Sequence, residues 1–342
     1  MMNAGQPLVR AKSLKSLAGI VEADPYCLSE SEIEKAVKSR LMDMAISVRE
    51  ASVDLLGRFI VQQPELSNQY SVIILARIED KGPSVRRRVI RILGDLCVLG
   101  VTNQKEILIA IMNRANDDAE GIKDAVLRTF ESIWFTQGHD LELFVEVIRN
   151  TRSNHLVANI LRKILKKDVE RYTERLKTMS KEIIDVFIKA TDSTELLALS
   201  RGLVILCAVN VDLVLPYVVT LQHFLKPQFN TTDEAAMIMN ICLIVEQCAP
   251  LSSSNAARFH SALEKDLLDL IYTHNSDVLS SALKALVSLV TNVTRNYTII
   301  TETFTKCYSL LKMIKMRPNM MKVSSLYRAM YILGLGIKLF TV

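Results

Sequence analysis

A seven-residue motif recurs along this chain at a fixed interval of 37 residues. Its three copies run from Asp43 to Arg49, from Asp80 to Arg86 and from Asp117 to Lys123. Each copy opens with an aspartate and closes with an aliphatic residue followed by a cation. A period of this length is typical of one supersecondary unit that stacks on copies of itself.

The apolar residues that follow each copy also keep step, at the spacing of an α-helix. They are Val53, Leu56 and Phe59, then Ile90, Leu93 and Leu96, then Leu127, Phe130 and Ile133. Each repeat therefore reads as two helices, the second opened by a capping box between Ser47 and Glu50. The 342 residues include 11 glycines and 8 prolines, too few for the turns of an all-β protein. We predict an all-α protein, an α-solenoid.

Beyond residue 138 the motif fades, but apolar residues still recur at helical spacing. We predict helices at 141–149, 153–177, 181–190, 194–209, 232–247, 255–273, 277–293, 299–315 and 330–340, with breaks at Pro216, Pro227, Pro250 and Pro318. Three regions follow: regular repeats over 1–136, an irregular helical connection with a basic stretch over 137–193, and degenerate repeats over 194–342.

The repeated aspartates and cations are predicted to form a structural ladder along the stack. An aspartate in the turn can accept hydrogen bonds from the next helix's free N–H groups and from a neighbouring repeat's cation, at about 0.5 to 2 kcal/mol per cap. A catalytic role fits less well, since the carboxylates are spread one per repeat. The ladder residues are Asp43, Arg49, Asp80, Arg86, Asp117 and Lys123.

The sequence contains no pattern that indicates catalysis, a metal site or a cofactor. The five histidines form no ligand pair, and the six cysteines form no CxxC, so we interpret the latter as reduced core thiols. Gly334 and Gly336 lack a third glycine and a preceding strand, which favours helix packing over nucleotide binding. No uncharged run reaches the roughly 18 to 20 residues of a membrane span. We predict a protein that is not an enzyme and does not enter a membrane.

Clusters of basic residues are the features that point to a ligand. Lys81 to Arg91 is rich in arginine, residues 149–177 hold nine basic against three acidic residues, and 304–342 hold seven basic residues and no acid. Clustered cations on a solenoid face can follow a phosphate backbone, although a solvated helix face is the alternative. The DNA-phosphate candidates are Arg87, Arg88, Arg91, Lys163, Lys166 and Lys167.

Longer segments of the chain resemble a known family, the Nipped-B sister chromatid cohesion loaders, in their middle-to-C-terminal HEAT-repeat region. Over residues 8–136 the matching segments are Arg40–Asp43, Ser47–Ala51, Asp54–Phe59, Ser84–Arg86, Val89–Leu93, Glu120–Lys123 and Ile133–Thr136. From 194 to 340 a weaker, collinear similarity runs through Leu213–Tyr217, Gln222–Leu225, Glu264–Leu267 and Val290–Thr294. The chain then matches a fragment of a much larger protein.

This resemblance implies a curved or hook-shaped HEAT-repeat scaffold without enzymatic activity. It implies a nuclear, chromatin-associated protein that binds DNA and the cohesin complex, through its ATPase heads and kleisin, stimulates the cohesin ATPase and promotes loading onto chromatin. Binding of the smaller loader subunit is not expected, because the N-terminal region that contacts it in the family is absent. The alternative is a generic HEAT-repeat adaptor of the transport-receptor or phosphatase-scaffold type.

Overall fold

The structure is a computed structural model that describes residues 5–100, 103–136, 141–151, 153–226, 228–229, 231–252, 256–316 and 323–340. Within these ranges the chain is built from helices and turns, without a strand. The prediction of an all-α protein is therefore confirmed. Two compact units divide the chain, Met1–Tyr172 and Thr173–Val342. The boundary falls inside the predicted connection 137–193, whose limits stay a prediction.

The first unit contains two series of helices that alternate along the chain. One series is α1 (Pro7–Ala23), α3 (Ile46–Phe59), α5 (Pro83–Val98), α7 (Glu120–Glu131) and α9 (Asn154–Leu165). The other is α2 (Ser31–Leu41), α4 (Pro64–Leu75), α6 (Gln104–Asn113) and α8 (Leu141–Asn150). Each member of the first series packs on the next, so the repeats stack.

The predicted apolar register forms the core of this stack. Val48 and its repeat equivalents Val85 and Ile122 are buried, as are Leu56 and Leu93. Within each helix these side chains lie on the inward face, which is why the 3- and 4-residue spacing could be read from the sequence.

Two glycines at the same position of successive repeats bring these helices close together. A Cβ on Gly57 would lie 2.2 Å from Ile92 Cδ1, and one on Gly94 would lie 2.8 Å from Thr129 Oγ1. Neither distance is possible without movement, so glycine sets the spacing of α3 from α5 and of α5 from α7.

The capping box predicted at the start of α3 is wrong. The helix begins at Ile46, and Ala45 precedes it without a side-chain cap, so Ser47 already lies in the first turn. The equivalent helices α5 and α7 begin after Gly82 and Ala119, again without a side-chain cap. The backbone N–H groups that precede these helices instead donate to the aspartates described below.

The second unit is likewise built from stacked helices, most of them longer and less regular. They are α11 (Ser193–Val209), α12 (Val218–Gln222), α13 (Thr232–Cys248), α14 (Ala257–Thr273), α15 (Ser276–Leu289), α16 (Tyr297–Met316) and α17 (Val323–Phe340), preceded by α10 (Val169–Phe187), which contains the boundary between the units. Helices α11, α13, α15 and α17 pack in sequence.

Helix α13 with its short extension, Thr232–Leu251, is long and apolar enough by composition to cross a membrane. It packs against α11 on one side and α15 on the other, and Ile241, Ile244 and Val245 are buried there. Its apolar composition is accounted for by this position in the core.

Two predicted helix limits in the middle of the chain are wrong. The predicted helix 153–177 is interrupted after Leu165, and a single helix, α10, replaces the predicted break between 177 and 181. Asp168 explains the interruption, because its Oδ1 accepts a hydrogen bond of 3.2 Å from the Arg171 N–H and so starts a new helix. Pro216 and Pro250 lie in short 3₁₀ turns, whereas Pro227 and Pro318 lie outside the described residues.

Candidate functional site

The turns of the first unit are joined by a ladder of ion pairs, of which Arg49–Asp80 is buried and the other two are partly buried. Arg49, in α3, donates from Nε and Nη2 to the two carboxylate oxygens of Asp80, at 2.7 Å each. Arg86, in α5, makes the same forked contact with Asp117, at 3.0 and 2.7 Å. Arg10 contacts Asp43 in the same way at 2.8 Å. Each rung thus ties one repeat to the next by a bidentate pair.

The same side chains also shape each turn. The Oδ1 of Asp80 accepts a hydrogen bond of 2.8 Å from the Gly82 N–H, just before α5 begins. Arg49 Nη1 donates to the Asp43 carbonyl at 2.7 Å, and Arg86 Nη1 donates to the Asp80 carbonyl at 2.7 Å. One arginine therefore holds the carbonyl of its own turn and the carboxylate of the next.

A second arginine approaches each rung from the end of the preceding helix or from the turn that follows it. Arg40 Nη1 lies 2.8 Å from Asp43, whereas Arg77 and Arg114 lie 3.8 and 3.7 Å from Asp80 and Asp117. The Nε of each of these three arginines is buried without a hydrogen-bond partner among the described residues. The ladder thus contains two guanidinium groups for each carboxylate.

The surroundings keep the three carboxylates ionised. The hydrogen bond from Arg10 lowers the pKa of Asp43 below its usual value. For Asp80 and Asp117, burial is the largest single influence and acts to raise the pKa. The hydrogen bonds from Arg49 and Arg86, the backbone N–H groups of Gly82 and Ala119 and the nearby guanidinium charges together outweigh it, so both pKa values are also lowered. A carboxylate in such a setting is a poor general base near neutral pH, which agrees with a structural role.

The predicted ladder residue Lys123 does not make the contact that its position suggests. It stands three residues into α7, as Arg86 does in α5, but its Nζ donates to Glu120 of the same helix at 3.0 Å. The reason lies at Thr151, which stands three residues before α9 where the earlier repeats have aspartate. The ladder of aspartates therefore stops at Asp117.

The three arginine candidates for DNA contact lie on α5 but differ in their partners. Arg88 is half-buried and forms ion pairs with Asp54 and, at 3.2 Å, with Glu50. Arg87 and Arg91 are exposed and form no ion pair among the described residues. Arg88 is thus neutralised by α3, whereas the other two charges face solvent.

These arginines line a groove of about 320 Å³ between α5 and α7 that the sequence did not indicate. Arg128, exposed on α7, faces the same groove, and so do Asp95 and Asp124. The groove could be found only after the register of α5 against α7 was known, because Arg91 and Arg128 are 37 residues apart and read as separate charges.

The lysine candidates lie at the C-terminal end of α9. Lys163 and Lys166 are exposed and form no ion pair within 4 Å among the described residues. Lys167 instead pairs with Glu131, which also accepts a 2.7 Å hydrogen bond from Tyr172 Oη. The structure thus leaves two of these three lysine charges open to an anionic ligand.

The remaining sequence candidates have structural roles. Trp134 is buried against Phe130 and Phe144, as a core residue. Gly336 lies in α17, where a Cβ would be 2.1 Å from Phe304 Cζ, so the predicted helix-packing role is confirmed for this glycine. A Cβ on Gly334 would have no described atom within 4 Å. All six cysteines are buried free thiols. The described residues contain no group of three or more side chains that could hold a metal ion.

The basic C-terminal region is only partly described. Arg328 donates to the Ile271 carbonyl at 3.0 Å, and Lys312 lies over the ring of Tyr308, 4.7 Å from its centroid. Arg317 and Lys322 lie outside the described residues. The described cations of this region are therefore occupied in part by contacts within the second unit.

Comparison with known proteins shows which family this chain resembles. Residues 15–56 match a family model described as a HEAT repeat associated with sister chromatid cohesion. Nipped-B-like protein B of Danio rerio is 31% identical over 336 residues, which cover 90% of this chain and 12% of that protein. The Homo sapiens Nipped-B-like protein is 30% identical over 334 residues, again 90% of this chain and 12% of the relative.

A solved structure shows the same fold. The C-terminal fragment of the Chaetomium thermophilum cohesin loader SCC2 superimposes with a TM-score of 0.79 at 20% identity, over 98% of this chain and 26% of that one. The predicted α-solenoid and the resemblance to the Nipped-B family are confirmed. This chain spans only about an eighth of the length of the Danio rerio and Homo sapiens relatives.

Proposed function

We propose that this chain, a HEAT-repeat scaffold similar to the Nipped-B proteins over nine tenths of its length, performs part of the work of a cohesin loader. The observation that carries the proposal is this similarity, which runs through both units rather than through a single repeat. The chain would act without catalysis, in the nucleus and on chromatin, by holding cohesin and DNA together.

The DNA contact is assigned first to Lys163 and Lys166. Both ammonium groups are exposed, close to one another at the end of α9, and free of ion pairs among the described residues. Contacts of this kind bind phosphates without reading the base sequence and release condensed counterions. Affinity should therefore fall as salt rises, with a slope that counts the phosphates contacted.

The chain would contribute to loading by shifting the population of cohesin between its conformational states. A scaffold that binds DNA and the cohesin ATPase heads at once favours whichever state of the complex presents both surfaces. If that state is the one that hydrolyses ATP, the scaffold stimulates the ATPase without contributing a catalytic group. The contacts with the ATPase heads and the kleisin belong to this proposal.

The experiment is a DNA-binding titration of the purified chain over a series of salt concentrations, with a cohesin ATPase assay in parallel. A steep negative salt slope together with ATPase stimulation is expected. If the folded chain showed neither, the proposal would fail and a generic protein-binding adaptor would take its place. DNA binding without ATPase stimulation would limit the proposal to the DNA contact.

A paired substitution locates that contact. Charge reversal of Lys163 and Lys166 to Glu should weaken DNA binding and reduce the salt slope by about two, because each lysine that no longer meets a phosphate removes roughly one unit. The matched control reverses Lys12 and Lys15, which are equally exposed on α1. Equal weakening of DNA binding in both double variants would show that net charge matters and the position does not.

A further inference from the structure

The groove between α5 and α7 contains charges of both signs, which distinguishes it from the lysines of α9. Arg87 and Arg91 on one wall and Arg128 on the other are exposed and form no ion pair among the described residues. Asp95 and Asp124 line the same recess. A ligand that fills it must therefore offer acceptors to three guanidinium groups and donors to two carboxylates.

The acidic residues of α3, next to the groove, do not pair with Arg87 or Arg91. Glu50 accepts hydrogen bonds from Ser84 Oγ at 3.0 Å and from Arg88 at 3.2 Å, and Asp54 is paired with Arg88 and Arg58. The carboxylates closest to α5 on that side are thus already occupied. Arg87 instead extends along Gly121, with its Nη1 3.5 Å from the position that a Cβ would take there.

The depth of the groove depends on small residues at its floor. Gly94 lies there opposite Thr129, with no room for a Cβ between them, and Gly121 leaves the opening of α7 without a side chain. Ser84 and Ser132 add hydroxyl groups to the lining. The recess accepts a few side chains, whereas a rigid DNA duplex cannot enter a volume of about 320 Å³.

We propose that this groove binds an extended acidic segment of a partner protein. Glutamate or aspartate side chains of the segment would pair with Arg87, Arg91 and Arg128, because a guanidinium fork matches a carboxylate. Backbone N–H groups of the segment would donate to Asp95 and Asp124. A phosphate backbone offers acceptors alone, whereas a peptide also offers N–H donors to the two carboxylates, so hydrogen-bond complementarity favours the peptide.

The inference rests on the groove and not on the proposed loader function, so the two can fail separately. Its test uses the full chain and fluorescence anisotropy at physiological salt. The probe is a short labelled peptide of alternating Glu and Ala, and its matched control replaces every Glu by Gln. A DNA duplex serves as the competing ligand.

The expected result is binding of the acidic peptide well above that of the glutamine peptide. The double variant Arg87→Ala, Arg91→Ala should weaken peptide binding by about tenfold or more, as the loss of charge-assisted hydrogen bonds requires. The double variant Lys163→Ala, Lys166→Ala removes the same charge elsewhere and should leave peptide binding within about twofold. Unchanged circular dichroism and melting temperature verify that both variants fold.

Replacement of the same two arginines by lysine separates the fork from the charge. Arg87→Lys with Arg91→Lys should keep part of the affinity, because a lysine pairs as a point charge without the fork. Equal binding of the two peptides would overturn the proposal. So would a loss of DNA affinity, rather than peptide affinity, in the Arg87, Arg91 variant, since the groove would then be a DNA surface.

Discussion

Each of the two units is a stack of helices, but the two join their successive helices by different chemistry. In the described part of the first unit, three successive junctions between repeats are each linked by an arginine and a buried aspartate, and the side chain of Asp80 is 2% exposed. In the second unit α11 and α13 are linked by a hydrogen bond from Asn240 to Ser200 Oγ at 3.0 Å, within a core of aliphatic residues. The described helices of the second unit therefore stack without a ladder of this kind, so the fold itself does not require one.

A buried charge in the second unit serves a different purpose. Glu264, in α14, accepts hydrogen bonds from Asn296 Nδ2, at 3.0 Å, and from Thr294 Oγ1. These residues end the turn after α15, where Arg295 has a positive φ of 56°. Glu264 thus fixes a single irregular turn, whereas each ladder aspartate joins two repeats.

The largest effect is expected when one ladder carboxylate is removed. Asp80→Ala leaves the guanidinium of Arg49 buried without its counter-charge, which should lower the free energy of unfolding of the first unit by about 3 to 5 kcal/mol. Urea unfolding followed by hydrogen exchange would assign the loss to the first unit. The control Arg58→Ala removes an exposed partner of Asp54 and should cost less than about 1 kcal/mol. A similar loss in both variants would contradict the ladder.

A smaller effect is expected at Glu264. Glu264→Ala leaves two polar groups of one turn unpaired and should cost about 1 to 3 kcal/mol, confined to the second unit. The control Glu302→Ala removes an exposed carboxylate of α16 and should change stability by about 0.5 kcal/mol at most. If Glu264→Ala lowered the free energy of unfolding as much as Asp80→Ala does, the distinction between a carboxylate that fixes one turn and one that joins two repeats would not hold.

The two units should also differ in their response to pH. Burial lowers the pKa of His260 and of His274 in the second unit, so protons bind preferentially to the unfolded chain. The stability that results from this pKa difference is fully present above pH 6.5, about the usual pKa of histidine, and is lost as the pH falls below it. The lowered pKa values of Asp43, Asp80 and Asp117 stabilise the first unit down to a lower pH. Their stabilising effect is fully present above about pH 3.9, the usual pKa of aspartate, and is lost below it.

Hydrogen exchange measured between about pH 7 and pH 5, an interval that brackets the usual histidine pKa, would separate these contributions. We expect protection to fall in the second unit while the first unit keeps its own. The double variant His260→Gln, His274→Gln should remove this pH dependence without moving the acid transition of the first unit. Loss of protection in the first unit over the same interval would contradict the assignment.

The stack of repeats could be predicted from the sequence, whereas the exact start of each helix could not. The 37-residue period and the apolar register of Val48, Val85 and Ile122 predict the stack, because burial depends on spacing along one helix. The sequence allowed both an aspartate in the turn and a serine cap to accept N–H groups where the second helix of a repeat begins. In the structure the Gly82 N–H donates to Asp80, and no serine cap forms at α3. The actual start of α3 therefore lies one residue before the predicted cap.

The ion partners of the candidate site residues could not be predicted from the sequence. Arg88 and Lys167 look like Arg87 and Lys166 in the sequence, but their ion partners, Asp54 and Glu131, come from the previous repeat, 34 and 36 residues away. Which charge is paired depends on the rotation of one helix against the next. Sequence periodicity does not specify that rotation to the accuracy of a salt bridge.

The smallest and sharpest test extends the ladder by one rung. Lys123 and Thr151 occupy the positions of arginine and aspartate in the earlier repeats, so Lys123→Arg with Thr151→Asp rebuilds the pair seen between Arg86 and Asp117. Thr151→Asp alone places a carboxylate at a buried position and should destabilise the first unit. The double variant should recover that loss, with a coupling of about 1 kcal/mol measured by a double-mutant cycle in urea. Additive effects would mean that α9 is rotated away from the ladder, and the regular repeats would then end for a geometric reason and not for want of an aspartate.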